Sequence, residues 1–120
     1  MPVVTIITNV ARSKFPSTFN SSLTKLLSEI IGKPQARIFV LLQPDAILTH
    51  GGETVPTCVI NFKSIGAIDE EKNRLYSSKV SDFMKQTAGI APEDCFIHFT
   101  DLSPENVGLN GSTVKAAMAK

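Results

Sequence analysis

The sequence predicts an α/β fold, a tandem β-α-β repeat that gives one four-stranded mixed sheet with two helices on a single face. Three observations carry that expectation. β-branched runs mark strands, and helical stripes separate them. The segments IIGKPQARIFVLL and TAGIAPEDCFIHF also repeat one order of helix end, glycine, proline and strand. Such self-similarity is the mark of an internal repeat, here of two β-α-β units. Right-handed crossovers of the same sense put both helices on the same side of the sheet.

Each element follows from its own residues. The run Val3, Val4, Thr5, Ile6, Ile7, Thr8 is β-branched throughout and reads as a strand over 2–8. From Ser17 the period changes. Phe19, Leu23, Leu26, Leu27, Ile30 and Ile31 fall three and four apart, one stripe of a helix that Gly32 and Pro34 stop. A strand over Arg37–Leu42, apolar on both faces, leads into the loop QPDAILTHGGETVP, where His50 has no assigned role. A second strand-like run, Thr57–Phe62, ends at Ser64-Ile65-Gly66. Asp69, Glu70 and Glu71 place negative charge where a helix start favours it. The inward stripe of that helix is Tyr76, Val80, Phe83, Met84 and Thr87; Gly89 and Pro92 end it before the strand Cys95–Phe99. The tail NVGLNGSTVKAAMAK is punctuated by glycine and reads as partly extended.

This arrangement raises a burial problem. A strand such as Ile38–Leu42, apolar on both faces, is expected where both faces are covered, yet two helices cover only one. Another copy of the chain in a closed oligomer is the economical answer, ahead of a hydrophobic ligand cavity.

The 120 residues make one domain, 1–120. A formal net charge of +1 gives no electrostatic reason to bind nucleic acid or an anionic membrane. No run approaches the roughly eighteen apolar residues of a membrane span, and the first apolar stretch lacks the basic flank and length of a secretory signal. A cytoplasmic protein is the expectation. Cys58 and Cys95 lie in apolar strand-like runs and read as small buried thiols, without metal-ligand or C-x-x-C spacing. No cofactor is called for. The sequons at Asn20 and Asn110 carry little weight without such a signal.

Several separated motifs in one order, MPVVTIITNV, IIGKP, HGGETVP followed by KSIG, EEKNRLYS and DLSPENVGLNGST, resemble the macrophage migration inhibitory factor and D-dopachrome tautomerase family over residues 1–113. The resemblance implies a homotrimer whose three sheets wrap into a central barrel with the helices outside, which agrees with the burial argument. It also implies keto-enol tautomerisation of phenylpyruvate or dopachrome-type substrates, with a free N-terminal proline as general base. Pro2 holds that position once the initiator is removed. Only there does proline carry a basic secondary amine, because within a chain its nitrogen is an amide without a proton. A base acting near neutral pH needs a pKa pulled down toward it, by burial or by a nearby cation.

The resemblance places Lys33, of the G-K-P segment, in the pocket as that cation and as a holder of a substrate carboxylate. Read alone, Lys33 is a helix C-terminal lysine answering the dipole. Ser64 and Ile65 match the pocket segment, and Ile65 read alone is a core residue. Phe96 and His98 share a strand face and match positions that a neighbouring subunit contributes, where the mammalian factor has tyrosine and asparagine. Phe96 keeps an aromatic wall without a hydroxyl, and His98 brings a ring that could donate or accept a hydrogen bond. Arg37 replaces a tyrosine and suits bidentate bonding to a carboxylate, or is an exposed charge at a strand start. Leu109 replaces a tryptophan at the rim.

The mammalian factor also carries a C-x-x-C pair. Thr57 and Ile60 occupy those positions here, with Cys58 displaced and alone, so no thiol-disulfide activity is expected. A second function class follows from the same resemblance: a cytokine-like trimer, exported without a signal peptide, that binds the invariant-chain receptor at the cell surface with vestigial catalysis or none. The KAAMAK segment extends beyond the matched residues, to cover the barrel end or to remain disordered.

Overall fold

A computed structural model of the chain describes residues 1–118. The main sheet contains β1 (Val3–Thr8), β2 (Phe39–Gln43), β3 (Cys58–Ser64) and β4 (Cys95–Asp101) in the order β2-β1-β3-β4. β1 runs parallel to β2 and antiparallel to β3, and β3 runs parallel to β4, so the sheet is mixed. Each parallel pair is closed by a helix: α1 (Phe19–Ile31) between β1 and β2, and α2 (Glu70–Ala88) between β3 and β4. These are the two expected β-α-β units. They sit back to back through the antiparallel β1-β3 pair.

The helices form where the stripes place them. α1 buries Phe19, Leu23 and Leu27, and α2 buries Tyr76, Val80 and Met84. The carboxylate of Asp69 caps α2 by accepting from the Lys72 amide at 2.8 Å, satisfying one of the free first-turn donors. Gly32 ends α1 at φ +76, a left-handed position where glycine is unstrained.

Against the helices the sheet presents every second residue. Val4, Ile6, Cys58, Ile60 and Phe62 are fully buried there, and Phe62 stacks on Tyr76 with ring centroids 5.2 Å apart. The register pairs Val3 with Phe39, Thr5 with Leu41 and Asn61 with His98, so the alternate residues line the opposite face together. That face carries Phe39 and Leu41, each 50% exposed, and Phe96 at 64%. The single chain thus leaves uncovered the face that its apolar strand pattern marks as needing cover.

Several strand boundaries differ from expectation. β2 starts at Phe39 instead of Arg37, because Pro34 opens a short 3-10 turn in which the Arg37 amide donates to the Pro34 carbonyl at 3.0 Å. β3 and β4 each run two residues further, to Ser64 and Asp101, since their parallel ladder continues to that pair. The tail is more ordered than its composition suggests. β5 (Gly108–Leu109) and β6 (Ser112–Thr113) form a hairpin, and α3 (Val114–Met118) follows directly. Asn110 and Gly111 make its turn at φ 55 and 78, the two positive values that favour Asn-Gly in a two-residue hairpin loop. The KAAMAK segment is thus helical as far as Met118, and its last two residues lie outside the described ones.

Phe62→Ala removes a fully buried ring beneath Tyr76 and is expected to destabilise the fold by about 3–5 kcal/mol. Denaturant unfolding checks this, with an unchanged slope expected for a loss confined to packing.

Candidate functional site

A cavity of about 660 Å³ opens where the chain start, the end of α1 and the C-terminal hairpin meet. Lys33 and Arg37 give it two cationic side chains, and Phe39, Ile65, Leu109, Val114, Ala117 and Met118 give it an apolar wall. Met1 lines it too.

Each group arrives by a local device. The left-handed Gly32 turns the chain out of α1, and the Ser28 hydroxyl donates to the Lys33 carbonyl, so Lys33 leaves the helix half-buried instead of extending into solvent. The turn after Pro34 delivers Arg37 one step before β2. Ile65 sits at the bend that ends β3. There the Gly66 amide donates to the Asp101 carboxylate at 3.0 Å, and the Tyr76 hydroxyl donates to the Ala67 carbonyl at 2.8 Å. Leu109 comes from the hairpin, and the Val114 amide donates to the Val107 carbonyl at 2.9 Å to bring α3 back over the opening. The Thr113 hydroxyl accepts from the Ala116 amide at 3.0 Å, and Lys115 pairs with Glu105 at 3.5 Å.

The electrostatics at the chain start are specific. The α-amino group of Met1 is held below its usual range, first by burial and then by the positive charges of Lys33 and Arg37. An amine at this place loses its proton more readily than one in water. Pro2 lies directly behind it, buried, with its carbonyl accepting from the Phe39 amide at 3.0 Å. With Met1 attached, the Pro2 nitrogen is an amide.

Four of the expected site residues, Lys33, Arg37, Ile65 and Leu109, share this cavity, and Pro2 adjoins it through Met1. Ser64 does not line it. Its side chain turns to the helix face, fully buried, and its hydroxyl has no hydrogen-bond partner; its carbonyl accepts from the Leu102 amide at 2.8 Å. The cause is parity, because Ser64 ends the buried alternation Cys58, Ile60, Phe62. Phe96 and His98 lie exposed on β4, the far edge from β2, so within the chain they do not reach Lys33 and Arg37.

The sequence reading missed Phe39 and the α3 residues. Phe39 reads as an ordinary strand residue, and a five-residue helix leaves too short a period to detect. Cys58 is also not alone. The parallel register pairs it with Cys95, and their sulfurs are 3.5 Å apart. Both cysteines are free. The two lie 37 residues apart in the chain, and only strand pairing brings them together.

The paired β-α-β units define a fold that other solved structures share. The structure of the macrophage migration inhibitory factor from Trichinella spiralis superposes with a TM-score of 0.90 at 35% identity, covering 92% of this chain and 98% of that one. The homologue from Prochlorococcus marinus gives 0.86 at 31% identity, over 93% and 98%. Among curated relatives, macrophage migration inhibitory factor of Xenopus tropicalis is 41% identical over 113 residues, 94% of this chain and 98% of the relative. The MIF-like protein mif-2 of Caenorhabditis elegans is 39% identical over the full length of both chains. The family description "Macrophage migration inhibitory factor (MIF)" matches residues 1–115. The chain belongs to the macrophage migration inhibitory factor family.

Because two cations and burial together depress the amine at the chain start, Lys33→Ala is expected to raise its pKa while leaving it below that of a free amine. Titrating the N-terminal amine by NMR in both proteins measures this. An unchanged value would mean that burial and Arg37 set it without Lys33.

Proposed function

We propose that this protein is a keto-enol tautomerase of small aromatic α-keto acids such as phenylpyruvate, or of dopachrome-type substrates, with Pro2 as the general base after Met1 is removed. One observation carries the reading: the chain-start amine is depressed by burial and by two cations that line the same apolar-walled cavity. Removal of Met1 turns the Pro2 nitrogen into a secondary amine beside that setting. An uncharged amine takes the proton from the enol oxygen of the substrate, and its conjugate acid returns the proton to the other carbon of the enol double bond as the carbonyl forms. The substrate is isomerised with no net gain or loss of protons.

Lys33 and Arg37 have complementary parts in this scheme. Both hold the substrate carboxylate by charge-assisted hydrogen bonds, and their charge keeps the base unprotonated near neutral pH. Ile65, Leu109 and the α3 residues Val114, Ala117 and Met118 pack against the aromatic body. The α3 residues add to the wall expected from the sequence.

Protein with a verified free Pro2 is expected to convert enol-phenylpyruvate to its keto form. Pro2→Gly should lose roughly 100-fold or more of that rate, the scale of a general base. In the same assay, Lys33→Ala with Arg37→Ala should raise KM for the acid about tenfold, the effect of ~1.4 kcal/mol, and change the methyl ester far less. Full activity of Pro2→Gly would end the assignment of the base, and equal effects on acid and ester would end the carboxylate clamp.

A homotrimer belongs to the same reading. The uncovered apolar face with Phe39, Leu41 and Phe96 supports it, and in such an assembly Phe96 and His98 of one subunit would approach the cavity of the next. Light scattering is expected to give the mass of three chains, and Leu41→Asp on the exposed face to reduce it. A monomeric parent protein would leave that face without an occupant. The second reading is a cytokine-like, receptor-binding role, which the names of the relatives suggest. It would stand if protein with free Pro2 turned over neither substrate class.

A further inference from the structure

Away from the cavity at the chain start, the structure gathers a second group of reactive side chains at the opposite end of β3 and β4. Cys58 and Cys95 are register partners at the first positions of the two strands. The thiol of Cys58 donates to the sulfur of Cys95 at 3.5 Å. The pairing is reinforced one residue earlier, where the Thr57 hydroxyl donates to the Asp94 carbonyl at 2.7 Å and the Thr57 amide donates to the Asn9 side chain at 3.0 Å. The two sulfurs are therefore held in register by their neighbours.

The pair is also reachable. Cys58 is fully buried, whereas Cys95 is only half-buried, and both line a cavity of about 310 Å³. Its other walls include His50, Glu93, Asp94 and Phe96. His50 is tied to Asp94 by an Nδ1 to Oδ1 contact of 2.7 Å. Among the described residues no group of three histidine, cysteine or acidic side chains is arranged to hold a metal ion. What remains is a dithiol.

We propose that Cys58 and Cys95 form a reversible two-electron redox site that exchanges with small disulfides, Cys95 attacking and Cys58 resolving. Burial assigns the roles, since an incoming disulfide meets Cys95 first. The acidity of the pair agrees. The hydrogen bond from Cys58 lowers the Cys95 thiol below its usual range, while the bond to Cys95 and burial push Cys58 up. In the first step the Cys95 thiolate attacks one sulfur of the small disulfide, forming a mixed disulfide and releasing one thiolate. Cys58 then gives up its proton and attacks the Cys95 sulfur, forming the protein disulfide and releasing the second thiolate. The protein loses two electrons and the small disulfide gains them. Two thiol protons leave the protein, and the two released thiolates take them up.

The geometry allows the product. Paired strands set their backbones about 4.8 Å apart, inside the roughly 4.4–6.8 Å between Cα atoms that a disulfide spans. The sulfurs need only close from 3.5 Å to bonding distance. A C-x-x-C search does not find this site, and the expectation of no thiol-disulfide activity rested on Cys58 standing alone: Cys58 opens β3 and Cys95 opens β4 of the same β-α-β unit, and only the folded register brings them together after the whole of α2.

Cystamine is a suitable probe, being small and cationic where Glu93 and Asp94 line the cavity. Folded protein treated with it is expected to lose the mass of two hydrogens, to yield a peptide pair linked through Cys58 and Cys95, and to recover both thiols with reductant. Cys58→Ser should stop at a stable mixed disulfide on Cys95, and Cys95→Ser should leave Cys58 unreacted until the protein is denatured. Three results would overturn the proposal: a mixed disulfide that persists in the parent protein, thiols that react only after denaturation, or a bridge between chains. The parent protein and the Cys58→Ser variant are both read by mass on folded material, so a variant that fails to fold does not hide the answer.

Discussion

The pleat of β1 is the constraint on which the rest of the structure depends. This strand is paired on both sides, parallel to β2 and antiparallel to β3, and its even residues Val4, Ile6 and Thr8 are fully buried under the helices. Through those pairings its parity passes to the neighbouring strands: Phe39 and Leu41 must share the face of Val3 and Thr5, and β3 hands the same face to Phe96 and His98. A slip of one residue would exchange the two faces of the sheet, so burial of the even set under α1 and α2 fixes the register firmly. Both the empty face of the sheet and the inward turn of Ser64 follow from it.

The two sites occupy different ends of this framework, and each depends on ladder ends more than on ladder interiors. At one end the chain start, the turn after α1 and the bend after β3 converge, bringing an amine, two cations and apolar side chains around one opening. Irregular backbone at strand ends can aim side chains in directions that a pleat does not permit, and functional groups collect on such segments for that reason. At the other end the first residues of two parallel strands place thiols side by side. Chemistry at both ends rests on the stability of the same core, in which Phe62, Tyr76 and Phe99 pack with centroids 5.1–6.1 Å apart.

Electrostatics separates the two sites as clearly as position does. Burial and two positive charges act together on the chain-start amine and favour its neutral form. Between the thiols a single shared hydrogen bond moves the partners in opposite directions, easing the first proton off and holding the second. The first arrangement suits proton transfer to and from a neutral base, and the second suits a nucleophile backed by a reserve thiol.

The sequence by itself determined the two β-α-β units, because their signals are local: β-branched runs for strands, stripes at three and four for α1 and α2, and glycine with proline at each helix end. It also determined that one sheet face lacked cover, since Ile38–Leu42 is apolar at every position and the sequence shows only two helical stripes to set against the sheet. Family motifs singled out Lys33, Arg37, Ile65 and Leu109, which the fold brings to one cavity. Only the tertiary structure decided that Ser64 faces the core, that α3 closes over the opening and that Cys58 has a partner. Each of these depends on strand register or on a turn of two or three residues, and such relations between distant residues leave no periodic trace in the chain. A five-residue helix and a contact across 37 residues exist only because the rest of the fold holds their ends in place.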